Sequence, residues 1–275
     1  MQDVDAPALL DPLDSAPDAD VVGRLSPTVV IRETLRHLRR RAVVLALTGL
    51  LLWAGPMMAL NLVAGRWGAA LWPAYPLLGF LVVVWLGTEV LAAAFRGGMI
   101  PLIWGDIESA GREGAPGLGV SLGEVLVSAV WFWLPCFLVG VISSLAYLVT
   151  APLLVAPMLV LACLWMVAAP AVVIERRGPI DALKRSVELG RGNRWRVFGT
   201  IAIFWAAAIG LSAVASIVSV LFDRTGAGPY PAMALNAVVG ALNGVVGLVG
   251  VVVLYDQLRR CRAGETPGRL AEVFG

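Results

Sequence analysis

The sequence predicts an all-α, polytopic membrane bundle of six transmembrane helices, arranged as three hairpins with interfacial helices on the cytoplasmic side. Three observations predict it. The chain is 59% hydrophobic and 15% charged over 275 residues, far more apolar than the roughly 45–50% of soluble domains, and its mean hydropathy is +0.84. The charges fall in a few blocks separated by apolar runs of about 20 residues, the length a helix needs to cross a bilayer. Finally, of 21 Lys and Arg residues, 19 fall in alternate inter-span segments, and only Arg66 and Arg224 lie in the others. That asymmetry places both termini in the cytoplasm by the positive-inside rule.

The segment 1–23 holds six Asp, three Pro and no basic residue, so it reads as a disordered acidic tail rather than a secretory signal. Ser26-Pro27 starts a helix. Val30, Ile31, Leu35 and Leu38 form its apolar stripe beside Arg32, Arg36, Arg39, Arg40 and Arg41, the pattern of a helix lying among headgroups. The first span follows, Ala42 to about Ala64, then a turn with Arg66 flanked by the interfacial aromatics Trp67, Trp72 and Tyr75.

The second span is predicted over Leu71–Phe95. It contains Glu89, about 10 Å along the helix from Arg96. An intramembrane carboxylate reads either as functional or as an edge group paired by an arginine. Residues 96–124 read as a cytoplasmic segment interrupted by glycines, and Ser121 with Glu124 has the capping-box spacing that starts a helix at Leu122. The third span ends near Tyr147 and the fourth covers about Leu153–Ile174, with Pro170 expected to bend it near its cytoplasmic end.

Between the fourth and fifth spans lies the most basic stretch of the chain, with Arg176, Arg177, Lys184, Arg185, Arg191, Arg194 and Arg196. Gly178-Pro179 starts a second interfacial helix, Gly190 with Gly192 ends it, and Ile180, Leu183 and Val187 are its expected apolar face. The fifth span is Val197 to about Phe222 and the sixth Ala232–Leu254. Asn236, Gly240, Asn243, Gly244 and Gly247 share a face of the sixth, and Ala208, Ser212, Ala215 and Ser219 a face of the fifth. These faces read as close helix packing or as a polar pathway. The three hairpins form one domain, 24–258, followed by a cytoplasmic tail, 259–275.

The run Pro170, Val173, Glu175, Arg176, Gly178, Ala182, Leu183, Lys184, Arg185, Ser186, Leu189, Gly192, Trp195, Phe198, with Tyr255-Asp256-Gln257-Leu258-Arg259, resembles the membrane domain associated with glycerophosphoryl diester phosphodiesterases and related six-span bacterial proteins. The resemblance implies an inner-membrane bundle. It implies no catalysis, because the phosphodiesterase chemistry of such proteins resides in a separate soluble barrel that this chain has no room for.

The single His37 and the widely spaced Cys136, Cys163 and Cys261 offer no metal-ligand or nucleophile pattern. The expectation is a protein without catalytic residues, metal or cofactor, and without nucleic acid as a partner. The leading functional expectation is a membrane module that docks partner proteins or engages anionic lipid headgroups through Arg176, Arg177, Lys184, Arg185, Arg191, Arg194 and Arg196. The alternative is a transporter or permease subunit using Glu89 and the Asn236/Asn243 face.

Overall fold

The computed structural model describes residues 25–71, 77–110, 122–150, 155–224, 226 and 228–274. The expected acidic tail, the Ser121 cap and the Trp72/Tyr75 girdle lie outside the described residues. Every element is a helix, with no strand among the described residues. Six stretches are long and apolar enough to cross a membrane: Ala42–Val63, Val84–Ser109, Gly123–Thr150, Pro157–Ile174, Arg194–Phe222 and Pro229–Arg262. The chain is a multi-pass integral membrane protein with an all-α bundle fold.

Helix α1 (Pro27–Arg40) begins at Ser26-Pro27 as the sequence predicts. The first span is α2 (Ala42–Gly49), a π-helical turn (Leu50–Ala54) and α3 (Gly55–Leu71). The second is α4 (Leu77–Ala110) and the third α5 (Leu122–Thr150). The fourth is broken into α6 (Val155–Trp165) and α7 (Ala168–Ile174). Helix α8 (Pro179–Leu189) precedes α9 (Arg194–Arg224) and α10 (Pro229–Phe274), the fifth and sixth spans.

Four features depart from the sequence reading. Helix α4 does not stop at Phe95 but continues through Gly97, Gly98 and Pro101, because Met99, Ile100, Leu102 and Ile103 are buried core residues and the two glycines sit against α5. A Cβ at Gly98 would come within 3.1 Å of the Val125 carbonyl oxygen and 3.2 Å of Ala129 Cβ, so the bare backbone lets α4 and α5 approach. Helix α10 likewise runs on past Leu254, the expected end of the sixth span, to Phe274, and Tyr255, Asp256 and Leu258 are buried.

Helices α1 and α8 turn onto the protein faces that only partly coincide with their apolar stripes. Helix α1 turns Val30, Thr34 and His37 inward and leaves Leu35 exposed. Helix α8 buries Ala182, Leu183, Ser186 and Leu189, while Ile180 is 63% exposed. In both cases an inward polar side chain is hydrogen-bonded, which removes the desolvation cost that would have favoured the all-apolar face.

The break in the fourth span falls at Met166–Val167, just ahead of Pro170. Proline has no N–H to offer the carbonyl four residues back, and its ring crowds that carbonyl, here Met166. Two residues earlier, in the last turn of α6, the Leu164 carbonyl accepts a 2.6 Å hydrogen bond from Ser186 Oγ of α8. Helix α8 therefore packs beneath the second hairpin, on α5, α6 and α7, although it introduces the third; α1 likewise packs on α9 and α10.

Gly49 tests the packing of the first span on the sixth, since a Cβ there would lie 2.5 Å from Cγ2 of the buried Val245. A β-branched side chain in a helix has one strongly preferred rotamer and cannot swing clear. Gly49→Ala is expected to lose about 1–3 kcal/mol by overpacking, against a propensity gain of about 1 kcal/mol. Thermal unfolding in mild detergent should show a lower midpoint than wild type, whereas Gly199→Ala, with nothing within 4 Å, should match or exceed it. Coincident midpoints for Gly49→Ala and wild type would rule out this close approach.

Candidate functional site

Hydrogen bonds between distant segments bring the basic blocks to one end of the bundle. Leu25 N donates to Asn193 Oδ1 at 3.3 Å and Arg196 Nη1 to the Leu25 carbonyl at 2.9 Å. Asp106, at the end of α4, takes Arg41 Nε at 2.9 Å on one oxygen and His37 Nδ1 at 2.9 Å on the other. An ionised carboxylate only accepts, so His37 carries the proton on Nδ1. Arg262 of α10 donates to the Glu188 carbonyl of α8.

Glu175 is the hub of this end. Tyr255 Oη donates to its Oε1 at 2.6 Å, Arg185 Nε to the same oxygen at 3.2 Å, and Arg177 Nε to Oε2 at 2.5 Å. The Trp104 ring of α4 meets Tyr255 edge-on at 6.0 Å, and the Arg259 guanidinium lies 5.9 Å from the Trp104 ring centre. One carboxylate thus joins the end of α7 to α8 and α10. The local backbone makes it possible: Glu175 caps α7, and Arg176 follows at φ +50, the left-handed conformation that ends helices. That turn carries Arg177 back onto Glu175.

The seven basic candidates therefore divide. Arg177 and Arg185 are bound to Glu175, and Arg196 holds Leu25. Lys184 is exposed and only loosely paired with Asp181, at 3.8 Å. Arg176, Arg191 and Arg194 are exposed. The first three are positioned by the fold and the other four are presented to the surroundings.

The three intramembrane candidates do not converge on one another. Asn236 Nδ2 donates to Ser219 Oγ at 3.0 Å and Asn243 Nδ2 to Ser212 Oγ at 3.0 Å, so both bind α10 to α9. Glu89 Oε1 accepts from Ser144 Oγ at 2.6 Å, while its Oε2 is buried without a hydrogen-bond partner. Sequence reasoning missed Glu175, Tyr255 and Arg96. Arg96 had one signal, an isolated base between two apolar stretches, Leu77–Phe95 and Met99–Trp104. Among the described residues no group of three or more His, Cys, Asp or Glu is placed to hold a metal ion.

No family model matches the chain, and no curated protein or solved structure matches it either.

The Glu175 clamp makes stability pH-dependent. Burial raises the pKa of this carboxyl, but the hydrogen bonds from Tyr255 and Arg185, the charge of Arg185 and the bond from Arg177 outweigh it and hold the group below its ordinary 4.5. A depressed pKa contributes stability that is complete above the unfolded-state value and is lost as pH falls through the folded-state value. The denaturation midpoint of the wild type should therefore fall as pH drops below the ordinary carboxyl value and through the lower folded-state one. Glu175→Gln should flatten that part of the profile, and Tyr255→Phe should lose about 1 kcal/mol at neutral pH, the lower end for a charged acceptor that solvent reaches. An acid limb as steep in Glu175→Gln as in wild type would exclude the clamp as its origin.

Proposed function

We propose that the chain is a non-catalytic integral membrane module that engages anionic lipid headgroups through its basic end, facing the cytoplasm of a bacterial inner membrane. One observation carries this reading. A groove of about 840 Å³ runs along α5, walled by Val127, Trp131, Phe132, Pro135 and Val172, with Arg176 and Arg177 at its mouth. From Gly123 to Pro135 the groove follows α5 for roughly 18 Å at 1.5 Å per residue, the scale of an acyl chain. Trp131 is 78% exposed along it.

The chemistry suits a phospholipid lying against the bundle. Apolar walls accept the chain, and a guanidinium offers a fork of donors to phosphate oxygens. Arg177 is engaged by Glu175, so Arg176 is the base of this groove left to meet a headgroup, beside Glu124. Lys184, Arg191 and Arg194, also exposed, extend the positive field over the same end of the molecule. The resemblance to phosphodiesterase-associated membrane domains fits such a module, although it stands on the quoted residues alone. Asn236 and Asn243, the residues of the transport alternative, hydrogen-bond α10 to α9.

Each base near an anionic surface contributes about 1 kcal/mol, so Arg176→Gln combined with Lys184→Gln should weaken retention of phosphatidylglycerol roughly 30-fold. Retention of phosphatidylcholine should not change. Native mass spectrometry after detergent exchange measures both, and undiminished phosphatidylglycerol retention in the double variant would remove headgroup recognition by this end.

A further inference from the structure

Deeper in the bundle lies a separate cavity of about 350 Å³, walled on its polar side by Arg96, Ser143, Ser144, Tyr147 and Asn243. We propose that it is a binding site for an amphiphile with a compact anionic head, a carboxylate or a phosphate, held by Arg96 with the apolar tail directed toward α9. This goes beyond headgroup recognition at the basic end and uses none of the residues assigned to it.

Arg96 is placed where a cation needs a reason. It precedes Trp104, which meets the Tyr255 clamp, by eight residues, or roughly 12 Å toward the membrane interior along α4. Intramembrane arginines are costly, and those present pair with other groups or mark binding sites and pathways. Among the described residues no carboxylate lies within ion-pair distance of Arg96. Glu89 comes near but stops short. A Cβ at Gly140 would stand 2.5 Å from Glu89 Oε2 and 3.1 Å from Arg96 Nη1, so those two atoms are at most 5.6 Å apart, the sum of the two distances. Glu89 does not itself line the cavity, whereas Arg96 does. The carboxylate thus lowers the cost of the half-buried cation without occupying its hydrogen-bonding fork, which has five donors.

The backbone around the cavity points the same way. Trp53 lies in the π turn of the first span and Met166 at the break of the fourth, and both line the cavity. Irregular backbone at membrane depth is tolerated where it is buried in protein or lines a cavity. A second recess, about 520 Å³, shares Trp53, Met166, Asn243 and Gly247 with the first. It continues along α9 past Phe204 to Trp205 and Leu211, which are exposed on the lipid-facing surface. A mainly apolar chamber with Arg96 on its polar side, beside an apolar recess with which it shares lining residues, suits a head and a tail rather than a small free anion.

The test uses the full chain in phosphatidylcholine nanodiscs and radiolabelled dodecanoate in a scintillation proximity assay, with empty nanodiscs subtracted. Saturable binding is expected, displaced by dodecyl phosphate but not by dodecanol, acetate or inorganic phosphate at the same concentration. Arg96→Gln should weaken it at least about tenfold, the loss of a charge-assisted hydrogen bond. Gly247→Leu provides a second variant should Arg96→Gln not fold: a Cβ at Gly247 meets nothing within 4 Å, and the larger side chain fills the space common to both chambers with Arg96 intact. It too should weaken binding at least about tenfold, while Arg176→Gln with Lys184→Gln, which tests the basic end, should leave it unchanged. Affinity retained in both Arg96→Gln and Gly247→Leu overturns the proposal. So does displacement by dodecanol as effective as by dodecanoate, or displacement by acetate or inorganic phosphate, which would assign the chamber to a small anion.

Discussion

The carboxylate of Glu175 accepts three hydrogen bonds, and the basic end of the bundle is organised by them. Its donors come from the chain just past α7, from α8 and from α10, segments that no sequence neighbourhood would bring together. Each bond to a charged acceptor is worth about 1.5–3 kcal/mol when well shielded, and the buried Tyr255 is the best shielded of the three donors. Its ring also meets Trp104, so α4 is drawn into the same contact. The arginines consequently divide between two tasks. Those that neutralise Glu175 hold the architecture together, and the surface field at this end arises from the ones left over.

A second constraint acts higher in the bundle, where no water is available and each backbone group must find a partner within the protein. The fourth span breaks just ahead of Pro170, and the Leu164 carbonyl beside that break accepts the hydroxyl of Ser186. This explains why α8 turns a serine inward and leaves Ile180 outside. The same logic applies between α9 and α10, where Asn236 and Asn243 find hydroxyls on the facing helix. Interhelical bonds of this kind are worth about 0.6 kcal/mol on average, so their value is in choosing the register of two otherwise apolar helices. That accounts for amides on a small-residue face without invoking a path through it.

How much of this was legible in the sequence depends on how far each partner lies from the residue that needs it. Span number follows from run length alone, and the starts of α1 and α8 from Ser26-Pro27 and Gly178-Pro179, because these are local effects. The break near Pro170 is local too. The end of α4 is not: Gly97, Gly98 and Pro101 look like a loop until α5 is packed against them. Nor are the buried faces of α1 and α8, since His37 is inward only because Asp106 waits there, and Ser186 only because of Leu164. Among the basic candidates, nothing local separates Arg185 from Arg191; the distinction is made by Glu175 and Tyr255. The charge count that reveals the basic end therefore cannot say which charges remain available on it.

Arg96 shows the limit of such counting most directly. Tallied with the other bases of the basic end, it looks like an edge residue, yet α4 runs on past it to Ala110 and the core closes over Met99 and Ile100. Removing it from the tally leaves the asymmetry between the two ends intact, so topology does not require it. An arginine at the centre of a membrane helix costs about 2.5–3.5 kcal/mol on insertion scales, and the simplest way to reduce that cost is direct contact with a carboxylate. Glu89 is two turns away on the same helix, and Gly140 leaves open the space between them. The fold nevertheless ties one Glu89 oxygen to Ser144, leaves the other without a hydrogen bond and turns the guanidinium onto a chamber wall. A charge kept only for orientation would be better tolerated at the surface, and a side chain kept only for packing would be better tolerated as leucine. The interior position provides something that neither alternative can: an unfilled set of donors in a region of low dielectric, where an anion gains most from them.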